Sequence, residues 1–198
     1  MTDVLCLFTR TPSVGECKTR LIPLLGEAGA CDAHVELVES QIARLSSTAA
    51  DCSLWITSPS PLVKVWTDLL KARVEVQRGD DLGQRMHFTF VDEFNRGAAR
   101  VCLIGGDCPG ITASYVEQAF DGLNDHAIVL GPTEDGGYGL VALREPHLEL
   151  FENIAWSTPE VLAETLRNAA TRDLSVQLLD RIWDVDTPDD WHRFKAVS

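Results

Sequence analysis

Short runs of apolar residues alternate along the chain with longer stretches in which apolar residues recur every three or four positions. The short runs predict β-strands, and several are apolar on both faces, as in a sheet that helices cover on both sides. These predicted strands are Val4–Phe8, Ser53–Thr57, Arg73–Val76, Val101–Gly105, Ala127–Leu130 and Tyr138–Leu143.

The longer stretches predict helices. Two stripes of apolar residues at helical spacing support this prediction. One runs from Ala28 to Leu45, and the other runs from Leu82 to Phe94 and ends near Gly97. Two further helices are predicted at Thr112–Phe120 and Pro159–Ala169, each preceded by a Thr or Ser that can cap it. The alternation predicts one α/β domain over residues 1–198, a three-layer α/β/α sandwich with a mainly parallel sheet. In such sheets ligands bind beyond the carboxyl ends of the strands.

The charge of the chain narrows the range of partners. It has 17 Lys and Arg against 30 Asp and Glu, a formal net charge of −13, which disfavours nucleic acid and anionic membrane surfaces as partners. No apolar run approaches the roughly 20 residues that span a bilayer, and the six cysteines form no Cys-x-x-Cys pair. We therefore expect a cytoplasmic protein with free thiols, and the sequence carries no clear signal of its oligomeric state.

The first candidate site is the loop after the first strand, which is locally basic. Lys18 and Arg20 lie two residues apart, and Arg10 and Gly15 precede them, so cations and backbone amides can surround a polyphosphate. The spacing is neither that of a Walker loop nor that of a Gly-x-Gly-x-x-Gly fingerprint. The alternative is an ordinary solvated surface loop.

A second candidate is Asp107, which follows two glycines at the end of the Val101–Gly105 strand. This placement puts a carboxylate at the edge where a ligand is expected, and Mg²⁺ prefers one or two carboxylates together with phosphate oxygens. The alternative is that Asp107 caps the next helix.

Two further acidic segments follow later strands. Asp135 lies in a glycine-rich turn and can accept hydrogen bonds from hydroxyls, although such a turn also simply joins two strands. Asp184 and Asp186 are predicted to point the same way on an extended segment, which is costly unless a cation compensates them. Asp189 and Asp190 are explained as first-turn residues of a helix that begins at Thr187-Pro188.

Taken in order, these segments resemble a bacterial family of glycosyltransferase-like proteins with the GT-A fold. That family was long carried as a domain of unknown function, and some members are linked to arsenosugar biosynthesis. The chain is also similar, more distantly, to nucleotidyltransferases such as phospholactate guanylyltransferase and molybdenum-cofactor guanylyltransferase. The motifs that carry the resemblance are Lys18-Thr19-Arg20-Leu21 with Pro23, Gly79 to Met86, Ile104 to Pro109, Asp135 to Tyr138 and Asp184 to Pro188.

The resemblance implies a role for each of these positions. Asp107 matches the metal-holding carboxylate, although Gly105 stands where the usual Asp-x-Asp has its first acid, and Asp186 matches a second metal ligand with Asp184 as its alternate. The segment Gly79–Arg85 matches a loop that closes over the nucleotide. The substrate side is matched by Gly136, Gly137 and Tyr138. The nucleotide-binding positions are Arg10, Gly15, Lys18, Arg20, Gln77, Gly79 and Asp80.

The function expected from this resemblance is glycosyl transfer from a nucleotide sugar to a small-molecule acceptor, assisted by Mg²⁺ or Mn²⁺. Asp107 and Asp135 are the expected catalytic residues, with Asp135 or Glu134 as the general base of an inverting reaction. Two alternatives stay open: nucleotidyl transfer from a nucleoside triphosphate with release of pyrophosphate, and nucleotide binding without catalysis. A phosphatase built on Cys108 is disfavoured because no Cys-x5-Arg loop follows it.

Overall fold

Seven strands form one mixed sheet in the computed structural model, which describes residues 2–197. All six predicted strands are present, and a seventh, short strand was missed because it offers only three residues of pattern. The strand order is β3-β2-β1-β4-β6-β5-β7, and β6 runs antiparallel to both of its neighbours while the other pairs are parallel. The strands are β1 Thr2–Thr9, β2 Asp51–Ile56, β3 Arg73–Val76, β4 Ala98–Gly105, β5 Ile128–Pro132, β6 Tyr138–Leu143 and β7 Val176–Leu178.

Within residues 2–197, six α-helices connect or flank these strands, and two single-turn 3₁₀ helices lie at Thr19–Leu21 and Leu148–Leu150. The structure contains one helix that the sequence analysis did not predict, α2, which follows the Ser58-Pro59-Ser60-Pro61 loop. The Ser60 side chain caps it by accepting from the Leu62 amide, and Pro61 fits its first turn. The helices are α1 Ile22–Arg44, α2 Pro61–Leu70, α3 Leu82–Asn95, α4 Ala113–Gly122, α5 Val161–Ala170 and α6 Pro188–Val197.

The predicted helix starts are partly confirmed. Helix α1 begins before the predicted stripe, with Gly26 at φ 71° interrupting its first turns. Thr112 caps α4 through the Tyr115 amide at 3.2 Å, as predicted, whereas α5 has no side-chain cap. Helix α3 begins at Leu82 because Asp81 caps it, so the predicted Gly79–Arg85 loop is wrong in its second half.

The two faces of the sheet bury separate apolar layers. Along β1, Leu5 and Leu7 face one layer with α1, α2 and α4, while Cys6 and Phe8 face the other with α3 and α5. A third, smaller cluster joins α6 to α1 and includes Val185. The predicted three-layer α/β sandwich is therefore confirmed, with the carboxyl ends of β1, β2 and β4 at one edge. Within residues 2–197, no helix is both long enough and apolar enough to span a membrane.

Candidate functional site

A late, extended segment completes the site at the carboxyl ends of the strands. The backbone amide of Ile182 donates to the Pro132 carbonyl at 2.8 Å, which extends the sheet beyond β5. The amide of Val185 donates to the carbonyl of Asp107 at 3.0 Å. These two bonds bring residues 182–186 beside the end of β4, although nearly 80 residues separate them from Asp107 in the sequence.

A cluster of ion pairs lies where this segment meets the loop after β1. The Lys18 ammonium is 2.6 Å from Asp107 Oδ2 and 3.9 Å from Asp186 Oδ1, and the Arg20 guanidinium pairs with the other side of the Asp186 carboxylate. Only 8% of the Lys18 side chain is exposed, against 67% for Arg20. The structure thus brings together Lys18, Arg20, Asp107 and Asp186 as the resemblance implies.

The charges of this cluster stabilise each other. Burial by itself would raise the pKa of Asp107, but the Lys18 ammonium outweighs that effect and holds this pKa below its ordinary value. Burial would likewise lower the pKa of Lys18, and the facing carboxylates raise it instead. Both groups are therefore charged at neutral pH.

Asp184 differs from Asp186 in what it faces. Val185 between them is fully buried, as expected for an extended segment, so both acids lie on the opposite side of the chain. They nevertheless line different hollows, Asp186 the one beside Lys18 and Asp184 a smaller one on the far side of Asp107. Burial and the nearby charges of Asp107 and Asp135 raise the pKa of Asp184 to about 6.

The larger hollow, which we call the cleft, has a volume of about 660 Å³ and matches the predicted nucleotide side. Arg10 and Arg85 line it and, among the residues that the structure describes, neither forms an ion pair, although Arg85 Nε donates to the Gly79 carbonyl at 3.1 Å. The Arg10 guanidinium and the other N–H groups of Arg85 are available to a phosphate. Four of the seven predicted nucleotide-binding residues line the cleft: Arg10, Lys18, Gln77 and Asp80.

The remaining three predicted nucleotide-binding residues lie outside the lining of the cleft. Gly15 and Gly79 have positive φ angles of 83° and 130°, so the backbone of their turns needs glycine. At Gly79 an added Cβ would also approach the Arg85 amide nitrogen to 2.9 Å, which explains this glycine by packing. Arg20 reaches the site only through its pairing with Asp186.

Gln77 joins strand ends within the cleft wall. Its Nε2 donates to the carbonyls of Thr9 at 3.1 Å and Trp55 at 2.8 Å. Since a carbonyl can only accept, these two bonds fix the orientation of the amide and leave Oε1 as the atom available to a ligand.

Among the cleft residues that the sequence analysis did not single out are His34 and Trp156, and it included Arg85 only as the end of the Gly79–Arg85 segment. The His34 ring donates from Nε2 to the Arg10 carbonyl at 2.9 Å, so it holds the loop after β1 in place. Its position on the inner stripe of α1, three residues after Cys31, could have placed it under that loop. No pattern in the sequence marks Trp156, which lies in an irregular segment before α5.

The smaller hollow, which we call the pocket, has a volume of about 240 Å³ and lies on the predicted acceptor side. Its walls are largely apolar and include Phe8, Met86, Leu103 and the ring of Tyr138. Its charged lining residues are Asp107, Asp135 and Asp184, and no Lys, Arg or His of the described chain lines it.

The predicted substrate residues contribute unequally to this pocket. Gly137 lines it directly, and its amide donates to Asp135 Oδ1 at 3.0 Å, which leaves Asp135 Oδ2 without a partner in the described structure. The Tyr138 hydroxyl points away to Thr165 at 3.4 Å. Gly136 does not line the pocket, because it packs so tightly on Pro159 that a Cβ would approach the Pro159 carbonyl oxygen to 2.2 Å.

Two side chains near the pocket are unsuited to chemistry there. Glu134 is exposed and pairs with Arg193 at 2.8 Å on the surface, so of the two expected bases the structure keeps only Asp135 beside the pocket. Cys108 is buried, and burial together with the negative charge of Asp107 raises the pKa of its thiol well above its ordinary value. A thiolate nucleophile is thereby disfavoured.

The donor set at Asp107 and Asp186 fits a hard divalent cation only together with other oxygen ligands. Within residues 2–197, no group of three or more His, Cys, Asp or Glu side chains is arranged to hold a metal ion. The two carboxylates already flank a cation, the Lys18 ammonium. Mg²⁺ and Mn²⁺ accept such sparse carboxylate sets when phosphate oxygens and water complete the shell.

Known structures resemble this chain over almost its whole length. A crystal structure from Desulfovibrio desulfuricans, provisionally named a nucleotide-diphospho-sugar transferase, is 28% identical with a TM-score of 0.86, covering 94% of this chain and 84% of that one. CMP:2-keto-3-deoxy-manno-octonic acid synthetase complexed with CTP shares the fold at 16% identity, with a TM-score of 0.63 and coverages of 100% and 98%. Rv0371c of Mycobacterium tuberculosis in complex with manganese does so at 14% identity, with a TM-score of 0.62 and full coverage of both chains.

These similarities confirm the expected type of fold. A search of the curated proteins found no match. Residues 41–158, more than half of the chain, match a family described as "Uncharacterized protein conserved in bacteria (DUF2064)". The chain belongs to this family and has the fold of the nucleotide-diphospho-sugar transferases.

Proposed function

We propose that this protein transfers a glycosyl group from a nucleotide sugar to a small-molecule acceptor. The observation that carries the proposal is the arrangement around Asp107: a cleft with cationic groups lies on one side of it and a compact, largely apolar pocket on the other. A transferase needs this arrangement, since the activated donor and the acceptor must meet at one reacting centre. The 28% identity to the Desulfovibrio desulfuricans protein supports the same class of substrate.

In the cleft, the donor diphosphate would be bound between the loop after β1 and the first turn of α3. Arg10 and Arg85 are free of carboxylate partners there, and a nucleotide sugar carries about two negative charges on its diphosphate. Gln77 Oε1 and Asp80 can accept hydrogen bonds from the nucleoside farther along the same wall. The site therefore offers cations to the phosphates and acceptors to the nucleoside.

Asp107 and Asp186 would hold a Mg²⁺ or Mn²⁺ ion, with Asp184 as an alternate ligand. Such an ion, when bound, offsets the negative charge that accumulates on the leaving diphosphate. Lys18 and Arg20 supply positive charge to the same region, because both already face these carboxylates.

In the pocket, Asp135 would act as the general base. An acceptor hydroxyl attacks the anomeric carbon, the bond from that carbon to the diphosphate breaks, and the hydroxyl proton passes to Asp135 Oδ2. This oxygen is suited to the task because the turn amide at Gly137 holds the other oxygen and so orients the carboxylate.

A ligand panel tests the proposal. Nucleotide sugars and nucleoside triphosphates are screened by thermal shift and calorimetry, with and without Mg²⁺ or Mn²⁺, on the native protein and on Asp107→Ala. We expect a nucleotide sugar to bind the native protein with metal and to lose most of this binding in the variant. Lys64→Met, at an exposed pair with Asp68, is the matched control and should behave as the native protein.

The same panel separates the alternatives. A preference for a nucleoside triphosphate with release of pyrophosphate would replace glycosyl transfer with nucleotidyl transfer. Nucleotide binding that never leads to turnover with any acceptor would indicate a binding protein. No nucleotide binding under any metal condition would overturn the enzyme assignment.

A further inference from the structure

The backbone at Lys18 holds an uncommon conformation that directs one side chain into the site. Lys18 has φ 45° and ψ 47°, in the left-handed region that residues with a Cβ rarely adopt. It directly precedes the 3₁₀ turn Thr19–Leu21, and its side chain is among the least exposed of the charged side chains. A loop that served only to expose a lysine would not need this conformation or this burial.

The ammonium lies where a divalent cation would have to bind. It contacts Asp107 Oδ2 at 2.6 Å and lies 3.9 Å from Asp186 Oδ1, which are oxygens of the two carboxylates proposed to hold the metal. Asp184 also lies close enough to interact with Lys18 electrostatically. Lys18 thus has the neighbours that the metal is expected to have.

The charge balance points the same way. Three negative charges are present when Asp107, Asp184 and Asp186 are ionised. Two positive charges, on Lys18 and Arg20, already offset part of them. A divalent ion added with Lys18 in place would share its carboxylates with a cation in direct contact with them. Like charges at such distances repel strongly in a half-buried site.

We propose that Lys18 is a resident cation which holds the metal position in the free protein and must be displaced before a divalent ion can bind. A nucleotide diphosphate would achieve this, because its oxygens offer the ammonium a new partner and offer the metal the ligands that the protein lacks. Metal and nucleotide then bind cooperatively, each weakly alone. The nucleotide half of this inference rests on the proposed function, whereas the metal half rests on the ion pairs alone.

Metal binding without nucleotide tests the metal half. Mn²⁺ affinity is measured by electron paramagnetic resonance and calorimetry for native protein, Lys18→Met and Lys64→Met. We expect Lys18→Met to bind Mn²⁺ at least about tenfold more tightly than native protein, since it removes the competing charge, and Lys64→Met to match native protein. Asp107→Asn placed on Lys18→Met should abolish the gain, which locates the ion at this site.

A Lys18→Met variant that keeps its circular dichroism and melting transition but binds Mn²⁺ no more tightly than native protein would overturn the inference. If Lys18→Met does not fold, Lys18→Gln is measured against the same expectation.

The native protein provides the second readout. Its Mn²⁺ affinity should rise at least about tenfold in the presence of a nucleoside diphosphate, and an unchanged affinity with bound nucleotide would contradict displacement. If no nucleotide binds at all, the proposed function fails, while the comparison of native protein with Lys18→Met still decides whether the lysine competes with the ion.

Discussion

Glu93 and Asp107 each lie beside a cation, and they differ in burial and in how completely their oxygens are satisfied. Glu93 is fully buried and pairs with the Arg73 guanidinium. Its Oε1 also accepts from Ser53 at 2.9 Å and from the Trp55 indole at 3.2 Å. Asp107 is more exposed and, among described side chains, has one strong partner, Lys18.

The difference separates a structural ion pair from a candidate binding site. Glu93 connects α3 to β2 and β3, and every hydrogen bond that it accepts holds two elements together. Asp107 stands at the carboxyl end of β4 between two hollows, with acceptor capacity that the protein does not use. A carboxylate whose lone pairs are saturated stabilises the fold, whereas one left open can bind a ligand.

The largest effect is expected at Glu93. Glu93→Ala leaves Arg73 and the Ser53 and Trp55 donors without their acceptor in the core, which we expect to cost about 3–5 kcal/mol of unfolding free energy. At roughly 2–4 °C per kcal/mol for a chain of this size, the melting temperature should fall by about 10 °C. Thermal and urea unfolding measure this change.

Glu36→Ala is the matched control for Glu93→Ala, because Glu36 forms an ion pair with Lys195 at the surface. Its loss should cost at most about 1 kcal/mol. Equal effects of the two substitutions would remove the distinction between a saturated and an open carboxylate.

At Asp107 the effect should appear in binding. Asp107→Asn keeps the shape but removes the charge that a metal requires, so nucleotide affinity in Mg²⁺ should fall about 100-fold, or roughly 2.7 kcal/mol. Its effect on unfolding should be smaller than that of Glu93→Ala, since Lys18 keeps Asp186 as a neighbour. A variant that melts far lower yet binds nucleotide normally would make Asp107 a structural residue too.

A smaller effect is expected on the pH dependence of stability, through His34, which holds the loop after β1. Burial lowers the pKa of His34 below its ordinary value of 6.5, so the neutral ring belongs to the native state. Its stabilising contribution is present above pH 6.5 and is lost as the pH falls through the lowered pKa. Native protein should therefore lose stability as the pH falls below 6.5, and His34→Gln should lose less over the same range; parallel profiles would contradict this.

The smallest effect is expected at Glu134, which pairs with Arg193 on the surface. Glu134→Gln should leave turnover and stability unchanged, while Asp135→Asn should reduce turnover about 100-fold or more, as for a general base. Steady-state kinetics on the two variants show which of the two residues is the general base. A loss of turnover in Glu134→Gln would indicate that Glu134 is the general base, although its side chain lies away from the pocket.

Much of the fold followed from local pattern. The runs at Val4–Phe8 and Val101–Gly105 predicted central strands because both of their faces are buried, and that burial shows in the sequence as uninterrupted apolar residues. Strand β7 was missed because three residues give little periodicity. Helix α2 was missed although Val63, Trp66 and Leu70 recur at helical spacing, because the Ser-Pro stretch before it was interpreted only as a loop. The Gly79–Arg85 loop was drawn too long because Asp81 was not recognised as a cap.

The sequence alone singled out the candidate site residues: Lys18, Asp107 and Asp186 stood out by type and by position after strands. Only the tertiary structure decided that Lys18 contacts Asp107 and approaches Asp186, that Asp184 and Asp186 line different hollows, and that Glu134 faces the solvent. The physical reason is that these contacts span up to 168 residues, so they depend on how strands pair and loops pack. No local pattern encodes a distance between such segments.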